Sequence, residues 1–132
     1  MILKIELTSS TPIYVQLRNQ IVMGIGRGDL KIGQGLPTVR QMAEDIGINM
    51  MTVTKAYTIL KNEGYIEIDR RHGARIKPTA ILSGNFTEKM ENELALLVTE
   101  SSLKGIKKEH FIKMCAELFD HLNISPMTGE EV

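Results

Sequence analysis

The stretch from Pro37 to Lys77, PTVRQMAEDIGINMMTVTKAYTILKNEGYIEIDRRHGARIK, decides the fold. Val39, Met42, Ala43 and Ile46 recur at helical spacing, which gives a first short helix one apolar face. Thr38 stands just before it and Gln41 follows three residues on, a T-x-x-Q pair that reads as a capping box and fixes the start. Gly47 stops the helix, because glycine enters the left-handed backbone region without a Cβ clash. Asn49 then reads as the N-cap of a second helix carrying Val53, Ala56, Tyr57 and Leu60 and ending near Gly64. Two short helices joined around a glycine are a helix-turn-helix signature.

Two strand-like runs follow. Tyr65-Ile66-Glu67-Ile68 alternates like a half-buried strand, and Ala74-Arg75-Ile76-Lys77 alternates back. Between them Asp69-Arg70-Arg71-His72-Gly73 forms a hairpin tip with two adjacent arginines and a glycine able to take positive φ. A basic tip beside a helix-turn-helix suits phosphates or a narrow minor groove, because the arginine fork pairs with phosphate oxygens and fits a negative groove. The pattern is that of a winged DNA-binding motif.

Working outward, Ile2 to Leu7 reads as a short strand or as an arm packing on a neighbour. Thr11 and Pro12 form a favourable N-cap and first-turn pair. The helix they open carries Ile13, Leu17, Ile21 and Ile25 on one stripe, and Gly24, Gly26 and Gly28 weaken its end. Gly33 and Gly35 lack the G-x-x-x-x-G-K-[ST] pattern of a phosphate loop, so a connecting turn is the simpler reading.

After Pro78 the composition changes. Residues 79–85 read as a linker. Phe86, Met90, Leu94, Leu97 and Val98 then follow helical spacing to about Lys104, where Gly105 breaks the run. A second helix runs from about Lys108 to Leu122, with Phe111, Ile112, Cys115, Leu118, Phe119 and Leu122 on its apolar side. Such a hairpin has more apolar surface than it can bury alone. Burial against a second copy, in a two-fold dimer, is the economical solution; packing onto the chain's own head is the alternative. The division is therefore 1–78 as a DNA-binding head, 79–85 as linker, 86–123 as a helical dimerisation hairpin and 124–132 as a frayed tail. The fold class is mainly α with a small β wing.

Charge follows this division. The 132 residues carry no net charge, yet positions 1–77 hold 11 Lys and Arg against 7 Asp and Glu, net +4, and positions 78–132 hold 5 against 9, net −4. A mildly basic reading head on an acidic body is the natural interpretation. The single cysteine, Cys115, leaves no internal disulfide framework and fits a reducing, cytoplasmic setting; its place on an apolar stripe reads as a small buried hydrophobe. The opening Met1-Ile2-Leu3 is interrupted by Lys4 and Glu6, unlike a secretory signal, and no apolar run approaches the roughly 20 residues of a membrane span.

The ordered motifs resemble the N-terminal domain of the GntR family of bacterial transcription regulators. They stand here as Pro12-Ile13-Tyr14-x-Gln16-Leu17, Gly28-Asp29-Leu30-Lys31-x-Gly33, Leu36-Pro37-Thr38-x-Arg40, Thr52-Val53-x-Lys55-Ala56-Tyr57 and Leu60-x-x-Glu63-Gly64-Tyr65-Ile66. The short C-terminal part is similar to that of the YtrA subfamily, whose members carry a small helical dimerisation unit. The resemblance implies a homodimer on an inverted-repeat operator, repression by occupying promoter DNA, and targets in the regulator's own operon, often linked to ABC-transporter genes. Met50-Met51 depart from the family, which commonly shows proline then asparagine there. Gly35 replaces a basic or polar residue, and His72 and Ala74 replace arginine or glycine, and threonine. Larger subfamilies carry an effector domain with a generous pocket, for which the residues after Pro78 are too few; a small-molecule inducer remains without a residue to identify it.

Candidate contacts follow. Arg40 lies in the first turn of its helix, where a cation opposes the dipole and gains nothing locally, so a role against DNA explains it better than solvation. Thr38 stands at the same end. Asn49, Met50, Met51, Thr52, Thr54 and Lys55 occupy the leading end and outward face of the recognition helix, the end that reaches base edges. Threonine hydroxyls and Lys55 reach phosphates or bases, and methionine packs on a thymine methyl. Tyr57 reads equally as a phosphate donor or as a packed ring with a wet tip. Arg70, Arg71, His72 and Gly73 form the wing contact. For catalysis or metal the sequence offers little: Glu117 and His121 form an isolated i, i+4 pair without the rest of a ligand set, no cofactor motif is present, and nothing assembles a nucleophile, base and oxyanion hole. A winged-helix protein-interaction module without DNA binding is the alternative, favoured by the zero net charge and by Met50-Met51.

Overall fold

The computed structural model describes residues 3–78 and 84–122. Helices α1 (Ile13–Arg27), α2 (Val39–Ile46) and α3 (Met50–Asn62) precede strands β1 (Ile66–Asp69) and β2 (Gly73–Ile76), and helices α4 (Gly84–Leu103) and α5 (Lys108–Leu122) follow. The chain divides into two compact units, one holding α1 to β2 and the other α4 and α5. This is a winged helix-turn-helix followed by a helical pair, mainly α with a small β wing. Positions 79–83 of the expected linker, the tail 124–132, Asn123 and Ile2 lie outside the described residues; Gly84 and Asn85, also read as linker, already belong to α4.

The core of the first unit is apolar throughout. Leu17, Ile21, Val53, Leu60, Ile66 and Ile76 are its largest fully enclosed side chains, drawn from α1, α3 and both strands. Burying each aliphatic side chain contributes on the order of 1.5–3 kcal/mol relative to exposure. This apolar block fixes α3 against α1 and roots the wing in the same core. β1 and β2 pair antiparallel from Ile66–Ile76 to Asp69–Gly73, and Lys77 N–H donates to the Tyr65 carbonyl at 3.1 Å, so pairing reaches the outer residues of the expected strands. Ile68 is 43% exposed opposite buried Ala74, so the alternation fades toward the tip.

Three expectations are corrected. The stretch Gly33–Leu36 is more than a connecting turn: Gly33 N–H donates to Ile76 O at 2.7 Å, Ile76 N–H to Gln34 O at 2.9 Å, and Leu36 N–H to Ala74 O at 2.8 Å. With an isolated Gly35–Arg75 bridge, it pairs along the free edge of β2. Residues 3–7 form no strand and are held on their own head. Gln16 and Gln20, one helical turn apart on α1, clasp Glu6 and Lys4; each side-chain amide accepts the backbone N–H and donates to the carbonyl of the same residue. Two-residue spacing in an extended chain matches one turn of helix closely enough for both clasps to close. Leu3 and Ile5 pack against the core. Finally, α1 is capped by Pro12 without a side-chain hydrogen bond, and Thr11 instead offers its carbonyl to Gln16 Nε2 at 2.8 Å.

In the second unit the stop at Gly105 is sharp. Its φ is +88°, its N–H donates to Ser102 O at 3.1 Å, and Ile106 N–H donates to Ser101 O at 2.9 Å, a paired closure of the last turn. No side chain of α5 is buried. Phe86, Met90, Leu94 and Leu97 on α4 and Leu118 and Phe119 on α5 are exposed, whereas Phe111, Cys115 and Leu122 are half-buried. Cys115 is thus only partly enclosed. No helix among the described residues is long and apolar enough to cross a membrane.

Candidate nucleic-acid interface

The helix-turn-helix is built from local hydrogen bonds. Gln41 N–H donates to Thr38 Oγ1 at 3.0 Å, starting α2. The reciprocal half of the expected capping box is not made: Gln41 Nε2 donates to Asp45 Oδ1 at 2.7 Å, because a partner one turn on lies on the same face. Gly47 takes φ +72° and its N–H closes on Ala43 O at 2.9 Å. Asn49 Oδ1 then accepts the Met51 N–H at 2.6 Å and starts α3. Thr38→Ala should lower unfolding stability by about 1 kcal/mol, the usual value of a lost N-cap, as read from denaturant midpoints; an unchanged midpoint would show that the cap is idle.

The proposed contact residues separate into exposed and withdrawn. Thr38, Arg40, Asn49, Met50, Thr54 and Lys55 are exposed, Thr52 is half-buried, and Met51 is 80% exposed. Arg40 and Met50 line one open groove between α2 and α3, together with Ala43, Glu44, Gly47 and Ile48. Tyr57 is withdrawn from the list. It is 2% exposed and its hydroxyl donates to the Pro37 carbonyl at 2.8 Å. Burial pushes the phenol well above its ordinary pKa, so it stays a neutral donor that ties α3 to the entry of α2.

Electrostatics distinguishes two sets of cations. Arg18 is bonded twice to Glu63, Nε to Oε1 at 2.9 Å and Nη2 to Oε2 at 3.2 Å, and Arg27 pairs with Asp29 at 3.2 Å. Arg40, Lys55, Arg70 and Arg71 have no ion pair among the described residues. Their charge is therefore available to an external anion.

The wing tip is a three-residue loop, Arg70-Arg71-His72, closed by Asp69 and by Gly73 at φ +68°. A glycine in that conformation is the bulge that a three-residue hairpin needs. The His72 backbone N–H donates to Asp69 Oδ1 at 2.6 Å, and His72 Nδ1 lies 3.3 Å from Oδ2. That backbone donor, followed by the side-chain contact, holds the Asp69 carboxyl below its ordinary 3.8. A depressed carboxylate supports the turn fully above its unfolded pKa and loses that support as pH falls through the folded value. The Asp69 carboxyl carbon resonance should accordingly titrate with its midpoint below 3.8; a midpoint at or above 3.8 would contradict the assignment.

Spacing does not signal the cation partners of two tyrosines: the Tyr14 ring lies under the Lys55 ammonium at 4.0 Å to the centroid, and Tyr65 faces Arg18 at 5.6 Å. Aromatic residues at helix spacing signal packing, and nothing in spacing alone couples α1 to α3. Among the described residues no group of three or more His, Cys, Asp or Glu side chains is placed to hold a metal ion.

Comparison with known proteins places this geometry. The family of bacterial regulatory proteins called gntR matches residues 13–76. The HTH-type transcriptional repressor YtrA of Bacillus subtilis (strain 168) is 34% identical over 119 residues, covering 88% of this chain and 91% of that protein. Among solved structures, YtrA from Sulfolobus acidocaldarius, a GntR-family transcription factor, is 36% identical with a TM-score of 0.60, over 73% of this chain and 99% of that one. A transcriptional antiterminator from Listeria monocytogenes EGD-e shares the fold over 96% of both chains, with a TM-score of 0.88 at 23% identity.

Proposed function

This chain belongs to the GntR family of bacterial regulatory proteins, with YtrA-type regulators among its relatives, and on that premise we propose that it represses transcription as a homodimer on an inverted-repeat operator. The relatives it matches are transcription regulators, and its own operon, with linked ABC-transporter genes, is the natural target. Each head inserts the leading end of α3 into the major groove and lays the Arg70-Arg71 tip along the neighbouring backbone or minor groove. Arg40 and Lys55 hold phosphates, Thr38, Thr52 and Thr54 supply hydroxyls, and Met50 and Met51 face base edges, where an apolar side chain distinguishes thymine by its methyl. The α4–α5 pairs of two copies close the dimer, so both heads engage one duplex.

The observation that carries this reading is that Arg40, Lys55, Arg70 and Arg71 have no ion pair among the described residues and that the leading end of α3 is exposed, whereas Arg18 and Arg27 of the same head are neutralised. Salt-titrated binding to the DNA upstream of its own gene is the test. Arg40→Ala should weaken binding several-fold and reduce the log–log salt slope by roughly 0.9 per protomer. An unchanged slope would remove Arg40 from the contacts. A protein-interaction module without DNA binding is favoured by the zero net charge and by the exposure of Met50 and Met51, and it requires the native chain to ignore duplex DNA even at low salt.

A further inference from the structure

Two cations of the head lie against aromatic rings, and they differ in what else holds them. Arg18 sits 5.6 Å from the Tyr65 ring centroid but is locked to the Glu63 carboxylate by two hydrogen bonds, so its charge is cancelled. Lys55 sits 4.0 Å from the Tyr14 ring centroid and has no carboxylate partner among the described residues. A ring attracts an ammonium through its quadrupole without cancelling the charge, and it occupies only one side of the group. The remaining donors stay open to an anion. Tyr14 is itself half-buried and packed on the core, one turn before fully buried Leu17, so the seat is fixed while the lysine stem is long and flexible.

We propose that Tyr14 is a positioning residue for operator binding: its ring, on α1, holds the Lys55 ammonium of α3 in place for a backbone phosphate of the duplex. This rests on the operator-binding reading and adds to it a residue outside the helix-turn-helix. The seat removes motion that a free lysine would lose on meeting DNA, so its contribution appears as affinity that exists only while both partners are present.

The full-length chain and four variants, Tyr14→Phe, Tyr14→Leu, Lys55→Met and the Tyr14→Leu/Lys55→Met double, are titrated against a duplex from the region upstream of its own gene at several salt concentrations. Tyr14→Phe keeps the ring and should bind like the native chain. Tyr14→Leu should lose about twofold to fivefold, the size of an exposed cation–π contact, and should lose nothing further once Lys55 is methionine. Equal losses from Tyr14→Leu in both backgrounds, or a Tyr14→Phe loss as large as that of Tyr14→Leu, would overturn the assignment while leaving operator binding intact. A native chain that fails to bind the duplex even at low salt would instead bring down the operator-binding reading, and this proposal with it. The seat is also read without DNA and without the leucine variant: the Lys55 ε-methylene protons should be shifted upfield by the ring current in the native chain and in Tyr14→Phe. Ordinary lysine shifts there would refute the seat.

Discussion

Leu118→Glu combined with Phe119→Glu should leave a folded monomer whose operator affinity is about 10²- to 10⁴-fold below that of the native chain. Both side chains are exposed in the single chain, Leu118 at 52% and Phe119 at 71%, so glutamate costs the isolated fold little. In the proposed dimer closed by the α4–α5 faces, the same substitutions would place charges in an apolar seam shared with the exposed Leu94 and Leu97 of α4. The expected loss in DNA binding is large because it is a loss of linkage. Each head then binds its half-site alone, without the effective concentration supplied by its twin. Light scattering reads the mass and a shift assay the affinity. A variant that stays dimeric, or a monomer that binds as tightly as the native chain, would contradict the proposed assembly.

The second large effect lies in the core. Leu60→Ala should lower unfolding stability by about 2–5 kcal/mol, since the side chain is fully enclosed and its removal leaves a cavity between α3 and its packing partners. At roughly 4–8 °C per kcal/mol for a unit of this size, the melting temperature should fall by at least about 8 °C. Met51→Ala is the internal contrast: on the same helix but 80% exposed, it should change stability by under about 0.5 kcal/mol. A Leu60→Ala loss below about 1 kcal/mol would mean that the core relaxes around the gap and does not hold α3 rigidly.

What could be read from the sequence was what short-range chemistry writes there. Thr38, Gly47 and Asn49 act on backbone groups within a turn of themselves, and they start and stop α2 and α3 where the residues predict. The wing was legible because Gly73 and the flanking alternation are also local. What escaped depends on residues far apart in the chain. The Gly33–Leu36 edge joins β2 some forty positions later, and its two glycines give no alternation to notice. The clasps from Gln16 and Gln20 to the N-terminal residues use polar side chains on the flank of an amphipathic helix, where spacing suggests solvent. Sequence leaves Tyr57 between two roles, because the carbonyl that takes its hydroxyl belongs to Pro37, twenty positions away. The Lys55–Tyr14 contact is hidden for the same reason.

The central claim is that the leading end of α3 and the wing tip meet the duplex. It is tested most directly by following the backbone amide resonances of the full chain as a duplex from upstream of its own gene is added. The account predicts that the largest shifts fall on Thr38–Arg40, Asn49–Lys55 and Arg70–Gly73, and that they fade as salt is raised. Saturable binding that leaves those three groups unmoved would contradict it.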